Sequence, residues 1–329
     1  MTPPVANRVH PAPFTLADSD AEQLLRVARN LRAAGPEVDD TRWVGRVREA
    51  FEDAPASFRK VIRAFRRHTG PAGVLLLRGL PVQDDTGRLG RTPGVEGSVQ
   101  RTPTLSAAVL LLAAGGLGDP AGFRQEKSGA LVHDVVPVPG REEFQGNAGS
   151  VPLSWHIENA FHPHRPDFVM LSCLRPDHDG VAALRTACIR AALPVLDDVT
   201  RAALARPEFS TAAPPSFGDT DGAGDAHPVL SGAEDDPDLR VDLAATRPLT
   251  GPAKAALAEL EAALDRVGIA SRLSPGDLAV VDNRTTVHGR SAFRPRYDGA
   301  DRWLQRTYVL ADIRRSRRFR PSDGYVIAE

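Results

Sequence analysis

Apolar residues recur at three- and four-residue intervals through the first third of the chain, then give way to short apolar runs bounded by Gly, Pro, Asp and Asn. That change of period predicts helices first and strands afterwards. Ser19-Asp20-Ala21-Glu22 has the form of a capping box in front of Leu24, Leu25, Val27 and Leu31, so a helix is expected to begin there. Phe58, Val61, Ile62 and Phe65 form a second helical stripe, which Gly70 is expected to stop. Residues 74–81 read as a buried strand, residues 84–104 as a loop rich in Gly, Arg, Thr and Pro, and residues 105–114 as an Ala/Leu-rich helix. From residue 131 onward, strands are expected at 131–138, 154–160, 168–174, 240–244, 277–282 and 303–311. One helix interrupts them, with Leu257, Leu260, Leu264 and Val267 on its stripe and Gly268 as its stop.

The order predicts a mainly β chain with flanking helices (α+β). A helical N-terminal part covers about 1–120 and a strand-rich core about 121–315. No repeat or linker divides the chain, so residues 1–329 are expected to form one domain. Segment 210–237 is rich in Gly, Ala, Pro and Asp and lacks an apolar period. So long a structureless stretch inside a compact unit predicts either a lid over a binding site or a disordered segment, and the lid is the expectation here.

Composition narrows the function classes. Apolar residues make up 42% of the chain, enough for a sizeable core, while 28 Gly and 28 Pro with 5% aromatics match a fold with many turns. Lysine and arginine number 41 against 42 acidic residues, so no global field recruits nucleic acid or an anionic membrane. The run Arg314-Arg315-Ser316-Arg317-Arg318-Phe319-Arg320 is expected to be a solvated segment. Neither a secretory leader nor a membrane-length apolar run is recognisable. Cys173 and Cys188 give no disulfide framework and read as small core residues. A cytoplasmic setting is the expectation.

The chemistry concentrates in two places. His156 and Glu158 stand two apart, which on an extended strand puts both side chains on one side. A third candidate ligand, His288, follows 132 residues later. Two imidazoles and a carboxylate on one face of an ion leave open positions, the ligand set of non-haem Fe(II) oxygenases. Zinc accepts the same donors, but no His-Glu-x-x-His helix supplies the general base of a zinc hydrolase. His162 and His164 lie close by, where Pro163 and Pro166 predict a turn instead. Arg302 and Arg306 follow His288 by 14 and 18 residues, and a planar guanidinium suits the carboxylate of an oxo-acid.

The stretches Gly146-Asn147-Ala148-Gly149-Ser150-Val151-Pro152-Leu153-Ser154-Trp155-His156-Ile157-Glu158-Asn159 and Asp282-Asn283-Arg284-Thr285-Thr286-Val287-His288-Gly289-Arg290, the latter running on to Arg306, resemble the clavaminate synthase-like family of Fe(II)/2-oxoglutarate oxygenases. The resemblance spans about Val74 to Arg306. It implies a distorted double-stranded β-helix (jelly roll), with His156, Glu158 and His288 holding Fe(II) and with 2-oxoglutarate and O2 as co-substrates. It further implies Arg302 and Thr186 as partners of the oxo-acid. Arg306 would hold the α-carboxylate of an amino acid, Glu126 its ammonium, and Asn147 and Asn159 would be further substrate contacts. Glutamate at position 158 separates the chain from related halogenases, which carry a small residue there.

Asp242 matches the family carboxylate that accepts from the far end of the substrate. Arginine-specific members carry a second aspartate where this chain has Arg240, which favours a neutral side chain, asparagine or citrulline, over arginine. The implied activity is C3 hydroxylation of an L-amino acid in peptide-antibiotic metabolism, with a peptide synthetase as the downstream user. An arginine hydroxylase is the alternative, its missing anion supplied by lid carboxylates within Ser216-Phe217-Gly218-Asp219-Thr220-Asp221. A non-catalytic metal-binding jelly roll would be expected to have lost a ligand or the oxo-acid arginine, and both are present.

Overall fold

The computed structural model describes residues 8–83, 89–217 and 224–328. Four helices lead: α1 (Asp18–Ala33), α2 (Thr41–Ala50), α3 (Ala56–Arg67) and α4 (Leu105–Gly115). The capping box does not form. Helix α1 starts behind Ala17 without a side-chain cap, and the Asp20 carboxylate instead accepts from the Ser57 hydroxyl. Thr104 caps α4 by accepting from the Ala107 amide.

Two sheets face one another. The larger contains, in spatial order, β1 (Val74–Arg78), β8 (Leu278–Asp282), β5 (Phe168–Arg175), β10 (Trp303–Leu310) and β2 (Asp119–Phe123), with β3 (His133–Val135) also on β10 and two short strands at the rims. The smaller runs β7 (Ile269–Arg272), β6 (Ala183–Cys188), β9 (Thr286–Arg290) and β4 (Leu153–His156). Alternate residues of each strand point between the sheets, where Leu76, Leu171, Cys173 and Val281 meet Leu184. The outer face of the large sheet packs Leu77, Met170 and Val280 on α1–α4. The small sheet packs Trp155, Ala187 and Val287 on helix α5 (Gly251–Val267). This is a distorted jelly roll with flanking helices. Its main sheet takes β1, where a buried strand was expected at 74–81, from the otherwise helical N-terminal part.

Several expectations change. The strand expected at 154–160 ends at His156. Residues 240–244 touch β4 only through an isolated bridge between His156 and Asp242. Segment 210–237 is not structureless: strand Phe209–Thr211 pairs with Thr246–Pro248, and Leu230–Gly232 forms a hairpin with Pro237–Leu239. Residues 218–223, with the lid carboxylates Asp219 and Asp221, lie outside the described residues. The C-terminal arginine run is partly structural, because buried Arg320 donates to the Ser316 hydroxyl and the Ile313 carbonyl.

Candidate active site

Strand β9 lies between β6 and β4, and its register sets His288 directly across from both His156 and Thr186. Opposed residues of an antiparallel pair share a face, so all three point between the sheets. Gly289 allows this close approach, since a Cβ there would stand 2.5 Å from the Leu153 carbonyl oxygen. The rings of His156 and His288 lie 4.3 Å apart, and Nε2 of His288 is 3.5 Å from Oε1 of Glu158. Donor atoms of His156, Glu158 and His288 all fall within 4.8 Å of one another.

The donor set fits a divalent metal. His156 donates from Nδ1 to the Ser154 carbonyl at 2.9 Å, which fixes the tautomer that leaves the Nε2 lone pair free to bind a metal. Burial, together with the neighbouring His156, pushes His288 down to about 4, so its imidazole is neutral at physiological pH. Burial works against the charged form of Glu158, but Arg306 and His288 outweigh it and hold the carboxylate well below its usual range. A second group of potential ligands among the described residues is His178, Asp298 and Asp301, none of which lines the cavity beside His156 and Glu158.

One cavity of about 250 Å³ is lined by His156, Glu158, Glu126, Asn147, Asn159, Asp242 and Arg306, together with Phe144, Thr211 and Phe217. Arg306 is buried and donates to Glu158 at 2.6 Å, to Glu126, and to Nδ1 of His133 at 2.9 Å. The Asn147 side chain, with its amide oxygen turned inward, accepts from the same guanidinium at 3.0 Å. Asn159 has a left-handed backbone (φ 52°) and a buried amide nitrogen with no partner among the described residues. Oδ1 of Asp242 accepts from the Ala244 and Ala245 amides, while Oδ2 takes no hydrogen bond among the described residues.

Arg240 is not among the residues lining the cavity; its guanidinium donates to the carbonyls of two that are, Ala160 and Phe161, at 2.7 and 3.0 Å. Arg302 is buried with its guanidinium over the Phe293 ring at 5.6 Å, and it has no ion pair among the described residues. Arg290 lies over the same ring at 5.4 Å. Thr186 is buried opposite His288 and does not line the cavity. His162 is no ligand, for its ring packs edge-on against Phe123.

Sequence reading missed Tyr308, whose hydroxyl reaches Glu126 at 3.0 Å and Glu158 at 3.1 Å. Its signal was its place two residues after Arg306 on one strand face. His133 and Asn283 carry no such signal, since only folding brings them to the site.

The model of the taurine catabolism dioxygenase TauD, TfdA family matches residues 241–308. The chain is 57% identical to L-asparagine oxygenase of Streptomyces coelicolor over 98% of its own length and 97% of the relative's. It is 34% identical to clavaminate synthase 2 of Streptomyces clavuligerus over 88% and 90%. A solved structure of asparagine oxygenase with Fe(II), 2S,3S-3-hydroxyasparagine and succinate superposes with a TM-score of 0.93 at 57% identity, covering 96% of this chain and 99% of that one. The chain therefore belongs to the clavaminate synthase-like family of Fe(II)/2-oxoglutarate-dependent oxygenases.

Proposed function

We propose that the protein hydroxylates L-asparagine at C3, with His156, Glu158 and His288 as iron ligands. The observation that supports the reading is the lining of one cavity by His156, Glu158, Glu126, Asn147, Asn159, Arg306 and Asp242. Arg306 takes the substrate α-carboxylate and Glu126 its ammonium, exchanging the internal Arg306–Glu126 and Arg306–Glu158 pairs for contacts to the zwitterion. Asn147 and Asn159 contribute amide contacts. Oδ2 of Asp242 accepts from the side-chain amide, and one acceptor suits a neutral carboxamide better than a guanidinium.

When bound, Fe(II) would activate O2, whose one atom would enter succinate as 2-oxoglutarate loses CO2 and whose other atom would enter a substrate C–H bond. Arg302 holds the distal carboxylate of the oxo-acid, with Thr186 nearby. The protein's share is orientation, since fixing both ends of a short amino acid presents one C3 hydrogen to the metal side of the cavity. The stretch around Ser216 and Phe217 closes over the substrate as part of a lid. We also assign the chain to one catalytic domain in the cytoplasm, in keeping with its two free cysteines, and its product to a peptide synthetase of antibiotic metabolism.

Wild type and Asp242→Asn, compared on asparagine, aspartate, citrulline and arginine, test the reading. Wild type is expected to prefer asparagine, and the variant to lose it and gain aspartate, whose carboxylate can accept from the new amide. A wild-type preference for arginine would overturn the assignment.

A further inference from the structure

Glu158 leaves the β-ladder just where its position matters most. Strand β4 ends at His156, Ile157 still donates to the Val241 carbonyl, and Asn159 turns into the left-handed region. Glu158 therefore has no strand neighbour to take its backbone amide and carbonyl, and both would be orphaned in a buried setting. A side chain from the opposite sheet fills the gap. Asn283, fully buried at the end of β8, accepts the Glu158 amide at 2.8 Å on Oδ1 and donates Nδ2 to the Glu158 carbonyl at 3.1 Å. The same Nδ2 reaches the Pro166 carbonyl at 2.9 Å, and the Asn283 amide is held by the Asp167 carbonyl. Every amide atom of Asn283 is engaged, and the partners fix which end is oxygen.

We propose that Asn283 is a positioning residue for the metal site, acting as a one-residue strand partner that fixes the backbone of Glu158. Only a carboxamide does this, because it offers an acceptor and two donors in one plane, as a peptide group of a neighbouring strand would. Aspartate keeps the acceptor and sets a carboxylate oxygen against two carbonyls. Asn283 also opens the turn that leads into β9, so one side chain ties the Glu158 segment to the segment delivering His288. Arg306 and Tyr308 hold the carboxylate of Glu158, while Asn283 holds the backbone it hangs from.

This inference rests on Glu158 being a metal ligand, so Glu158→Ala is the control. Fe(II) is titrated anaerobically into the apoprotein against a chromogenic chelator for wild type, Asn283→Ala, Asn283→Asp and Glu158→Ala. Both Asn283 variants are expected to bind Fe(II) about 10–100-fold more weakly, and to form more succinate per hydroxylated product than wild type. Wild-type iron affinity and coupling in folded Asn283 variants, with binding lost only in Glu158→Ala, would overturn the proposal. Wild-type iron affinity in Glu158→Ala would instead remove the ligand reading beneath it. Amide hydrogen exchange of the wild-type apoprotein is read whether or not the variants fold. The Glu158 amide is expected to exchange as slowly as amides inside β4, and exchange at the rate of an exposed loop amide would overturn the clamp.

Discussion

Arg302 offers a test in which affinity and stability move in opposite directions. Its guanidinium is buried against Phe293 with no carboxylate paired to it among the described residues, and Arg290 stands over the same ring. Burial and Arg302 together lower Arg290 to about 9, and its guanidinium donates to the Gly146 and Val151 carbonyls. A buried cation without a partner costs stability until its ligand arrives. Arg302→Met keeps an unbranched side chain on the Phe293 ring and removes the charge. Breaking a buried charge-assisted contact costs about 2–5 kcal/mol, which corresponds to roughly 30- to 5,000-fold in 2-oxoglutarate affinity. The same change is expected to leave the melting temperature of the oxo-acid-free protein unchanged or raised, because no ion pair is broken. Anaerobic titration of the metal-to-oxo-acid charge-transfer band gives the affinity, and calorimetry of the protein without oxo-acid gives the stability. Unchanged affinity would remove Arg302 from the oxo-acid site. A fall in apoprotein stability matching the fall in affinity would show that the charge has a structural partner.

Arg306→Ala is expected to abolish asparagine binding while largely sparing the oxo-acid. It should also destabilise the metal-free protein by about 3–5 kcal/mol, since Glu126 and Glu158 lose their shared cation; denaturant unfolding with and without Fe(II) checks this, with partial rescue by the metal. Protease cleavage between residues 212 and 226 is expected to slow when asparagine and 2-oxoglutarate are both present, and equal rates with and without ligands would count against a lid. His162 is buried and lowered to about 4 by burial and by its neighbours His164 and Arg240, and its Nδ1 accepts the His164 amide. The unfolded chain takes up a proton near 6.5 while the folded one resists to about 4, so stability falls as pH drops through that window, by at most about 3 kcal/mol. His162→Phe is expected to flatten that part of the stability profile in urea melts.

Much of the site was legible because its chemistry is local. His156 and Glu158 sit two residues apart, and the His288, Arg302 and Arg306 spacing follows from one strand, a loop and another strand. Strands buried on both faces, such as Phe168–Arg175 and Leu278–Asp282, read directly as apolar runs. Two strands beside the site were not legible, although Leu153–His156 and Trp303–Leu310 were. Ala183–Cys188 and Thr286–Arg290 turn Thr186, His288 and Arg290 inward, so their polar inner positions disguise buried strands as loops. Asp119–Phe123 hides behind Pro120 and Gly122, which read as a turn. The capping box failed because the helix already begins at Asp18, which places Ser19 inside its first turn and not at the N-cap. Asn283 reads as a turn residue, and its partners lie 125 and 117 residues away.

The central claim is tested most directly by following the atoms. Asparagine deuterated at both C3 positions is turned over with Fe(II) and 2-oxoglutarate under isotopically heavy O2, and the products are weighed. The account predicts hydroxyasparagine that has lost one deuterium and carries one heavy oxygen atom, with one succinate formed per product. Product retaining both deuterium atoms, or oxygen drawn from water, would contradict it.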